Sequence, residues 1–370
     1  MTMIDVRLGV QQRVYAAYRQ PFFEALAAEC RHGMSLFAGT ARPGEHIPQS
    51  DALENGSFYP AKNHHLFSGG LYLCWQAGLL AWARSFDPQV LIVEANPRYL
   101  NLRQTINLVH KRCGKVIGWG LGSPEVNGFS GLMIRELRQR LYNSIDAIIT
   151  YSQQGSAEYL AAGIPEDRIF IAPNAAVDRQ DFPLPDRPDA YYQDRPTILF
   201  VGRLQERKRV DLLIKACSRL NASATPRLWI VGDGPERQVL ESLAMTSEAD
   251  VTFFGSKFGE ELAYLYQQAD LFVLPGTGGL ALQQAMSYGL PVMAAEADGT
   301  QLELVRDGNG WLLPPGDVDA LIAALQSALA NLSTLRARGA ESYRIVNEEI
   351  NISGMVSVFS NAVAAVKAGN

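Results

Sequence analysis

Residues 198–211 read Ile-Leu-Phe-Val-Gly-Arg-Leu-Gln-Glu-Arg-Lys-Arg-Val-Asp, and this stretch indicates how the second half of the chain is built. The apolar run predicts a buried strand that ends at Gly202, and Val210 begins a helical pattern. Arg203 and Lys208 lie between the two elements. Because arginine offers a planar fork of donors and lysine a mobile point charge, the pair suits a diphosphate at the strand's carboxyl end. A solvated basic loop before a helix would have the same composition.

Strand and helix patterns alternate on both sides of this stretch, as they do in βαβ units around parallel sheets. The predicted strands cover residues 5–9, 34–37, 90–94, 116–119, 147–150, 169–171, 197–201, 227–231, 251–254, 271–274, 291–294 and 310–313. The predicted helices cover residues 22–29, 71–84, 100–111, 132–143, 154–162, 210–220, 236–244, 260–268, 279–288, 318–332 and 342–367. The pattern predicts the α/β class, with two Rossmann-like, doubly wound domains that face a central cleft.

The chain has 370 residues, which is more than one hydrophobic core usually organises, and 47% of them are hydrophobic. We predict an N-terminal domain over residues 1–180, a linker rich in Pro, Asp and Arg over 181–196, and a C-terminal domain over 197–345. Residues 346–370 are predicted to form a terminal helix that could cross back to the N-terminal domain.

Composition excludes several classes of function. A net charge of −5 and the absence of a strongly basic half disfavour nucleic acid as a partner. The four cysteines show no metal-ligand spacing, the N-terminus lacks a signal-peptide pattern, and no apolar run is long enough to span a membrane, which favours a cytoplasmic protein. A mildly basic segment could touch the inner face of a membrane, although a solvated helix face explains it equally well; it contains Arg98, Arg103, Lys111, Arg112 and Lys115.

Two further turns contain glycines that let a ligand approach the backbone. Gly232 and Gly234 follow the strand 227–231, and three glycines stand between Pro275 and the helix that begins near Leu280. Backbone N–H groups at the start of that helix would face an anion, and Gln284 could bind a ribose hydroxyl. Ordinary βα turns and close packing are the structural alternatives.

Together these motifs resemble group 1 glycosyltransferases of family 4, which have the GT-B fold. The resemblance runs from about residue 196 to residue 332 and rests on an ordered set of motifs: Val-Gly-Arg203 with Lys208 and Asp211, Val-Gly-Asp-Gly-Pro235, Phe-Phe-Gly255, Ala-Asp-Leu-Phe-Val-Leu-Pro275, Ala-Met-Ser-Tyr-Gly-Leu-Pro-Val292 and Asp-Gly-Asn-Gly310. Each motif alone is weak, and their order is specific.

The resemblance implies an enzyme that moves a sugar from a nucleotide diphosphate, UDP-glucose being the expected type, to an acceptor hydroxyl with retention of configuration. It implies no cofactor and no catalytic metal, and the acceptor would be a saccharide, a lipid-linked molecule or a small molecule. The donor-binding residues would be Gly202, Arg203, Lys208, Gly232, Lys257, Phe258, Gly276, Thr277, Gly278, Gly279, Leu280 and Gln284. Lys257 and Phe258 would meet the nucleobase.

The sequence departs from the family pattern in both halves. The family usually has Glu-x7-Glu after the strand 271–274, and here Gly276 and Gln284 occupy the matching positions. In the first half, Tyr-Arg-x-Pro-Phe-Phe at residues 18–23 replaces a glycine-rich loop, and Trp-Gly-Leu-Gly at 119–122 lacks the histidine found in others. The predicted acceptor-side residues are Arg13, Tyr18, Arg19 and Gly120.

Glycosyl transfer leaves negative charge on the departing diphosphate, so cations at that oxygen lower the barrier. The catalytic candidates are therefore Arg203 and Lys208, together with Glu94 at a strand's carboxyl end. His64 and His65 are expected in an exposed loop and His110 on a helix with a structural role. The alternatives are a nucleotide-sugar-binding subunit with little or no activity, a GT-B-shaped nucleotide-sugar epimerase and, less favoured because no GxGxxG is present, a dinucleotide oxidoreductase.

Overall fold

The computed structural model describes the chain except residues 1–2, 43–44, 46, 68, 70–71, 125–128, 192–193, 221–224, 298–299 and 370, and except the side chains of residues 129–133. The chain divides into two compact units. The first comprises Met1–Ala176 and Ile352–Asn370, and the second comprises Val177–Asn351.

The first unit is built on a seven-stranded parallel sheet with the order β3-β2-β1-β6-β7-β8-β9. The strands of this unit are, in chain order, β1 (Leu8–Val14), β2 (Met34–Gly39), β3 (Ser57–Pro60), β4 (Lys62–Leu66), β5 (Leu73–Ala77), β6 (Val90–Glu94), β7 (Lys115–Gly120), β8 (Ala147–Thr150) and β9 (Ile169–Ile171). Strands β4 and β5 lie outside the seven-stranded sheet. The first five helices of the unit are α1 (Gln20–Ala28), α2 (Leu79–Phe86), α3 (Leu102–Lys111), α4 (Phe129–Tyr142) and α5 (Gln153–Ala161). Central strands such as β6 are buried along most of their length because helices cover both faces of a parallel sheet.

Strands β4 and β5 form a separate antiparallel hairpin that the sequence analysis did not anticipate. His64 and His65 lie on β4, so the expectation of an exposed loop for them is wrong. The helix expected over residues 71–84 is also wrong in its first half. Leu73–Ala77 forms β5 and pairs with β4, and the chain then turns into α2 at Gly78, whose φ is 87°. Pairing with a neighbouring strand decides whether a short apolar run becomes a strand or a helix, and periodicity alone does not separate the two.

The second unit is built on a six-stranded parallel sheet with the order β12-β11-β10-β13-β14-β15. Its strands are β10 (Thr197–Val201), β11 (Arg227–Val231), β12 (Asp250–Gly255), β13 (Leu271–Leu274), β14 (Val292–Ala295) and β15 (Gly310–Leu313). Its helices are α6 (Val210–Ser218), α7 (Arg237–Met245), α8 (Gly259–Gln268), α9 (Leu280–Ser287), α10 (Thr300–Leu304), α11 (Val318–Leu329) and α12 (Leu332–Glu348). One continuous apolar core fills the space between these helices and the sheet.

The segment 181–196, where we expected a linker, belongs to the second unit, whose first residue is Val177. The guanidinium of Arg187 explains why: it donates to the backbone carbonyls of Tyr266, Gln267, Ala269 and Tyr288. These carbonyls lie at the carboxyl ends of α8 and α9, where backbone acceptors lack partners within their own helix. The segment is therefore held by specific hydrogen bonds despite its irregular sequence.

The final helix, α13 (Ile352–Lys367), packs in the first unit. Its Phe359 ring lies 5.0 Å from that of Phe22 on α1 and 4.9 Å from that of Trp119 on β7. By length and composition alone, the helical stretch Leu332–Lys367 could cross a membrane, but 56% of its apolar window is buried inside the protein. A buried core helix passes the same test, so this stretch is weak evidence for a membrane span.

Candidate functional site

The topology of the second sheet predicts where a ligand binds. Strands β10 and β13 are neighbours, but the chain continues from β10 to β11 on one side and from β13 to β14 on the other. The loops that follow β10 and β13 therefore diverge and leave a crevice at the carboxyl edge of the sheet. Open α/β sheets bind their ligands at such a switch point.

The two loops at this switch point are hydrogen-bonded to each other. The Thr277 N–H donates to the carbonyl of Arg207 over 3.0 Å, and Lys208 Nζ donates to the carbonyl of Thr277 over 2.6 Å. Arg207 Nη1 also donates to Thr277 Oγ1 over 3.0 Å. The structure thus brings Lys208 and the predicted glycine-rich loop into one constellation, although 69 residues separate them along the chain.

Glycines make this approach possible. A Cβ atom on Gly276 would lie 2.2 Å from the carbonyl oxygen of Arg207 and 2.6 Å from the carbonyl carbon of Lys208, so no larger residue fits there without displacing backbone. A Cβ on Gly278, whose φ is 139°, would lie 2.5 Å from Lys208 Nζ. The close packing of the two loops therefore leaves no space for a glutamate side chain at position 276.

Arg203 follows β10 directly and is half-buried. Its Nε is fully buried and has no hydrogen-bond partner among the described residues. The backbone beside it is crowded, because a Cβ on Gly232 would come within 1.9 Å of the carbonyl oxygen of Gly202. A buried cationic donor that lacks an acceptor is costly, which marks this position as one that an anionic ligand would stabilise.

Helix α9 begins close to Lys208, because a Cβ on Gly278 would lie 2.5 Å from Lys208 Nζ. Gly279 is its N-cap, and among the described residues no side chain caps the first-turn N–H groups that start at Leu280. The positive end of the helix dipole adds to the charge of Lys208 there. Farther along the helix, Gln284 is half-buried and its Oε1 accepts from the Tyr266 hydroxyl over 3.5 Å.

The remaining predicted donor residues lie after β12. Lys257 Nζ forms an ion pair with Glu261 at 2.5 Å, and Phe258 is 77% exposed immediately before α8. A solvated aromatic ring at a strand's carboxyl end is available for stacking against a base. Their contact with a nucleobase stays a prediction.

The first sheet has its own switch point, between β1 and β6. Glu94 ends β6 there, and its Oε1 accepts the backbone N–H of Arg13 on β1 over 2.7 Å. Its other oxygen accepts the hydroxyl of Tyr99. Burial raises the pKa of the Glu94 carboxyl, against the opposing effects of these hydrogen bonds and of the charges of Arg13 and Arg19.

Arg19 lies in a 3₁₀ turn after β1 and is only 8% exposed. Its Nη2 donates to the hydroxyl of Tyr151 over 3.0 Å, and its guanidinium lies 5.2 Å from the Trp119 ring centroid and 5.4 Å from the Tyr18 ring centroid. Gly120 ends β7, and a Cβ there would lie 2.5 Å from the Tyr159 hydroxyl. The predicted acceptor-side residues therefore lie at the ends of neighbouring elements, while Arg13 is paired with Glu45 at 2.8 Å.

A buried amide network behind Glu94 was missed by sequence reasoning. Gln11 Oε1 accepts the Glu94 backbone N–H over 3.0 Å, and Gln11 Nε2 donates to Gln76 Oε1 over 2.5 Å. Gln76 Nε2 then donates to Asn63 Oδ1 over 3.0 Å. Gln11 and Gln76 are fully buried, and amides in an otherwise apolar strand run are the signal that could have revealed the network.

We expect Glu94→Gln to flatten the pH dependence of stability. Because burial raises the folded-state pKa above the ordinary value of 4.5, the folded protein binds this proton more tightly than the unfolded chain. The resulting stabilisation is present below the unfolded pKa and is lost as the pH rises through the folded pKa. As the pH rises above the ordinary carboxyl value of 4.5, the Tm of wild type should therefore fall relative to that of the variant. Glu166→Gln, at an exposed site, is the control and should run parallel to wild type; a parallel Glu94→Gln curve would contradict the shift.

Comparisons with known proteins identify what the second unit is similar to. Residues 195–331 match the family model described as Glycosyl transferases group 1. This segment is therefore similar to group 1 glycosyltransferases. It contains both loops of the second switch point, including Lys208 and Thr277.

Sequence relatives match part of the chain. The chain is 35% identical over 147 residues to a sulfoquinovosyl transferase of Arabidopsis thaliana, covering 38% of this chain and 28% of that protein. It is 38% identical over 153 residues to a GDP-mannose-dependent alpha-mannosyltransferase of Mycobacterium tuberculosis, covering 40% and 38%. An amylovoran biosynthesis glycosyltransferase of Erwinia amylovora is 31% identical over 198 residues, covering 50% and 48%. The chain thus spans less than half the length of these curated relatives.

Solved structures resemble the whole chain. Sucrose-phosphate synthase of Thermosynechococcus elongatus matches with a TM-score of 0.71 at 18% identity, covering 98% of this chain and 100% of that one. An Anabaena protein solved with UDP matches with a TM-score of 0.69 at 14% identity, covering 97% and 99%. At these identities the likeness shows the fold, which is GT-B with two Rossmann-like units and a C-terminal helix.

Proposed function

We propose that the protein is a family 4 glycosyltransferase that moves a sugar from a nucleotide diphosphate to an acceptor hydroxyl. The leaving diphosphate would lie at the second switch point, between Arg203, Lys208 and the start of α9. The observation that carries the proposal is the hydrogen bond of Lys208 to Thr277 at 2.6 Å, because it places a cation beside helix N–H groups that no described side chain caps, within the segment that matches group 1 glycosyltransferases. Such a constellation stabilises the charge that develops on a departing phosphate oxygen.

The first unit would supply the acceptor side. Glu94 lies at the switch point of its sheet, where Gln11 accepts its backbone N–H, and the Arg13 N–H and the Tyr99 hydroxyl donate to its carboxylate. We propose that Glu94 faces the transferred sugar or the acceptor hydroxyl, with Arg19 and Tyr18 beside it. Acceptors of three kinds fit a site of this composition: a saccharide, a lipid-linked molecule or a small molecule.

We propose a UDP-linked donor, of the UDP-glucose type, with retention of configuration and without a catalytic metal. Anabaena structures of the same fold were solved with UDP and with UDP-glucose, whereas a mycobacterial sequence relative is named for GDP-mannose. The donor base therefore has two precedents. We further propose action in the cytoplasm or at the inner face of its membrane.

Thermal unfolding with nucleotides tests the donor site. A ligand that binds only the native state raises its stability, so UDP or UDP-glucose at about 100 times Kd should contribute about 2.7 kcal/mol. The panel contains UDP, GDP, ADP and their common sugar conjugates, and is repeated with Arg203→Ala. We expect one nucleotide series to stabilise wild type and to lose its effect in the variant. No shift in Tm with any nucleotide would reject the donor site. Where a product forms, proton NMR of its anomeric centre tests retention of configuration.

A second candidate is a nucleotide-sugar-binding subunit that does not turn over. It is favoured by one observation: the backbone of residues 207–208 leaves no room for the family's glutamate at Gly276. The two candidates differ in donor hydrolysis. A transferase releases sugar to water slowly, whereas a binding subunit is stabilised by the donor and leaves it intact.

A further inference from the structure

We propose that the outer face of the β4–β5 hairpin is a docking surface for an anionic lipid bilayer. The hairpin lies in the first unit, and its outer face is defined here by Lys62, Leu66, Phe67, Trp75, Arg98 and Leu100. The proposal is independent of the donor site, because it concerns the first unit alone and needs no nucleotide.

The hairpin has one buried face and one apolar exposed face. On the buried face, Cys74 and Gln76 are inaccessible to solvent. Successive side chains of a strand point to opposite faces, so Trp75, between Cys74 and Gln76, points to the outer face, as do its neighbours across the hairpin. On that outer face Trp75 is 45% exposed and lies beside His64, with ring centroids 5.3 Å apart, and Leu66 is 42% exposed.

The outer face continues onto a neighbouring segment. Cys74 forms a parallel bridge with Tyr99, and the Leu100 N–H donates to the carbonyl of Cys74 over 2.9 Å. Tyr99 is buried, whereas Arg98 and Leu100 on either side of it are exposed. Leu100 is 47% exposed. The two-stranded hairpin and this bridged segment together expose apolar side chains and a cation.

Phe67 directly follows Leu66 at the end of β4. It is 71% exposed and has a φ of 60°. A bulky residue in this left-handed region is strained by about 1–2 kcal/mol, and glycine would relieve that strain. The chain thus holds an exposed aromatic ring at a position where the backbone prefers glycine, which argues for a use of the ring itself.

The charge of the surroundings identifies the partner as anionic. Residues 55–124 contain seven Lys or Arg and two Asp or Glu, in a chain whose net charge is −5. Pairing neutralises charges of both signs here: Asp87 pairs with Arg7 and Arg112, Lys115 pairs with Asp146, and the Glu94 carboxylate accepts from the Arg13 backbone and from Tyr99. Exposed Lys62 and Arg98 belong to the outer face itself. Surfaces that bind the interface of an anionic bilayer combine tryptophan and phenylalanine with lysine and arginine.

The docking surface is connected to the candidate acceptor site. Gln76 on the buried face of β5 bonds Gln11, which bonds the backbone of Glu94. A bilayer at the hairpin would therefore lie against the same part of the first unit that holds Glu94. This arrangement would present an acceptor embedded in the bilayer to that edge.

Vesicle sedimentation of the full chain tests the surface. We expect binding to vesicles of phosphatidylcholine and phosphatidylglycerol in a two-to-one ratio, little binding to phosphatidylcholine alone, and weakening with added salt. The double variant Lys62→Glu and Arg98→Glu should bind at least about tenfold more weakly. Phe67→Gly should also bind about tenfold more weakly while its Tm stays the same or rises, so misfolding cannot explain the loss.

Matched controls come from other exposed positions. Met245→Ser removes an 85% exposed apolar side chain in the second unit, and Arg168→Glu reverses an exposed charge in the first; both should bind like wild type. The proposal is overturned if anionic vesicles are not bound at low salt, or if the hairpin variants bind like their controls. Lipid-free self-association that Phe67→Gly abolishes would also overturn it, because a second copy of the chain would then be the occupant.

Discussion

Lys208→Ala and Arg203→Ala should each lower the turnover of donor by about 10²- to 10³-fold, as expected when one group that stabilises a developing oxyanion is removed. Lys208 Nζ is fixed by the Thr277 carbonyl at 2.6 Å, and Arg203 carries a buried Nε without an acceptor among the described residues. Both cations would act on the leaving diphosphate. The measurement is initial rate with the donor that gives the thermal shift, followed as release of nucleotide.

The effect of the two variants should appear mainly in kcat, because charge on the leaving oxygen is larger in the transition state than in the bound donor. Arg219→Ala is the matched control: it removes an exposed arginine of the same unit that pairs with Asp319 at 3.7 Å. Its rate should equal that of wild type. If Arg203→Ala and Lys208→Ala also retained the wild-type rate, the diphosphate site would be placed wrongly.

The second unit could be predicted closely from its sequence. The predicted bounds of β10, β11, β13 and β15 match those of the structure, because these strands are continuous apolar runs that end at a turn or at a polar residue. In the first unit β6, β8 and β9 match for the same reason. The order of the strands was out of reach, since the pairing of β10 with β13 is decided by packing far along the chain.

The first unit was predicted less well where polar residues enter the sheet. The first strand, expected over residues 5–9, runs from Leu8 to Val14 and contains Gln11, Gln12 and Arg13. Those side chains break the apolar pattern, and the strand persists because Gln11 finds buried amide partners in Gln76 and in the Glu94 backbone. The β4–β5 hairpin was missed for a similar reason, since its partners are specified by contacts and not by local pattern.

The residues of the candidate site could be predicted from the sequence, but their positions relative to one another could not. Arg203 and Lys208 are visible in the sequence as cations after a strand, and their roles as donor ligands stay predictions. That Lys208 reaches the loop after β13 depends on the adjacency of β10 and β13. His110 was expected to be a satisfied or exposed histidine on a helix; it lies on α3 with its Nε2 3.0 Å from Asp146 Oδ2, and a structural role for it stays a prediction.

Gly276→Glu, which writes the family's acid back into this chain, should destroy donor binding instead of improving it. Even the Cβ of the new side chain would lie 2.2 Å from the carbonyl oxygen of Arg207. The backbone of residues 207–208 must then move, and the contact between Lys208 and Thr277 breaks with it. Overpacking of this kind costs about 1–3 kcal/mol, and each kcal/mol lowers Tm by about 2–4 °C in a unit of this size.

Gly276→Ala separates the space that a side chain needs from the charge that glutamate adds, since it introduces the same Cβ without the carboxylate. We expect both variants to lose the nucleotide-dependent rise in Tm. Gly308→Ala is the control, because a Cβ there would meet only Glu341 Cγ, at an ordinary 3.4 Å, and should keep that rise. A Gly276→Glu protein that bound donor more tightly than wild type would show that the loops part easily. Glycine at 276 would then be a loss of function, and the non-catalytic subunit would become the better account of the protein.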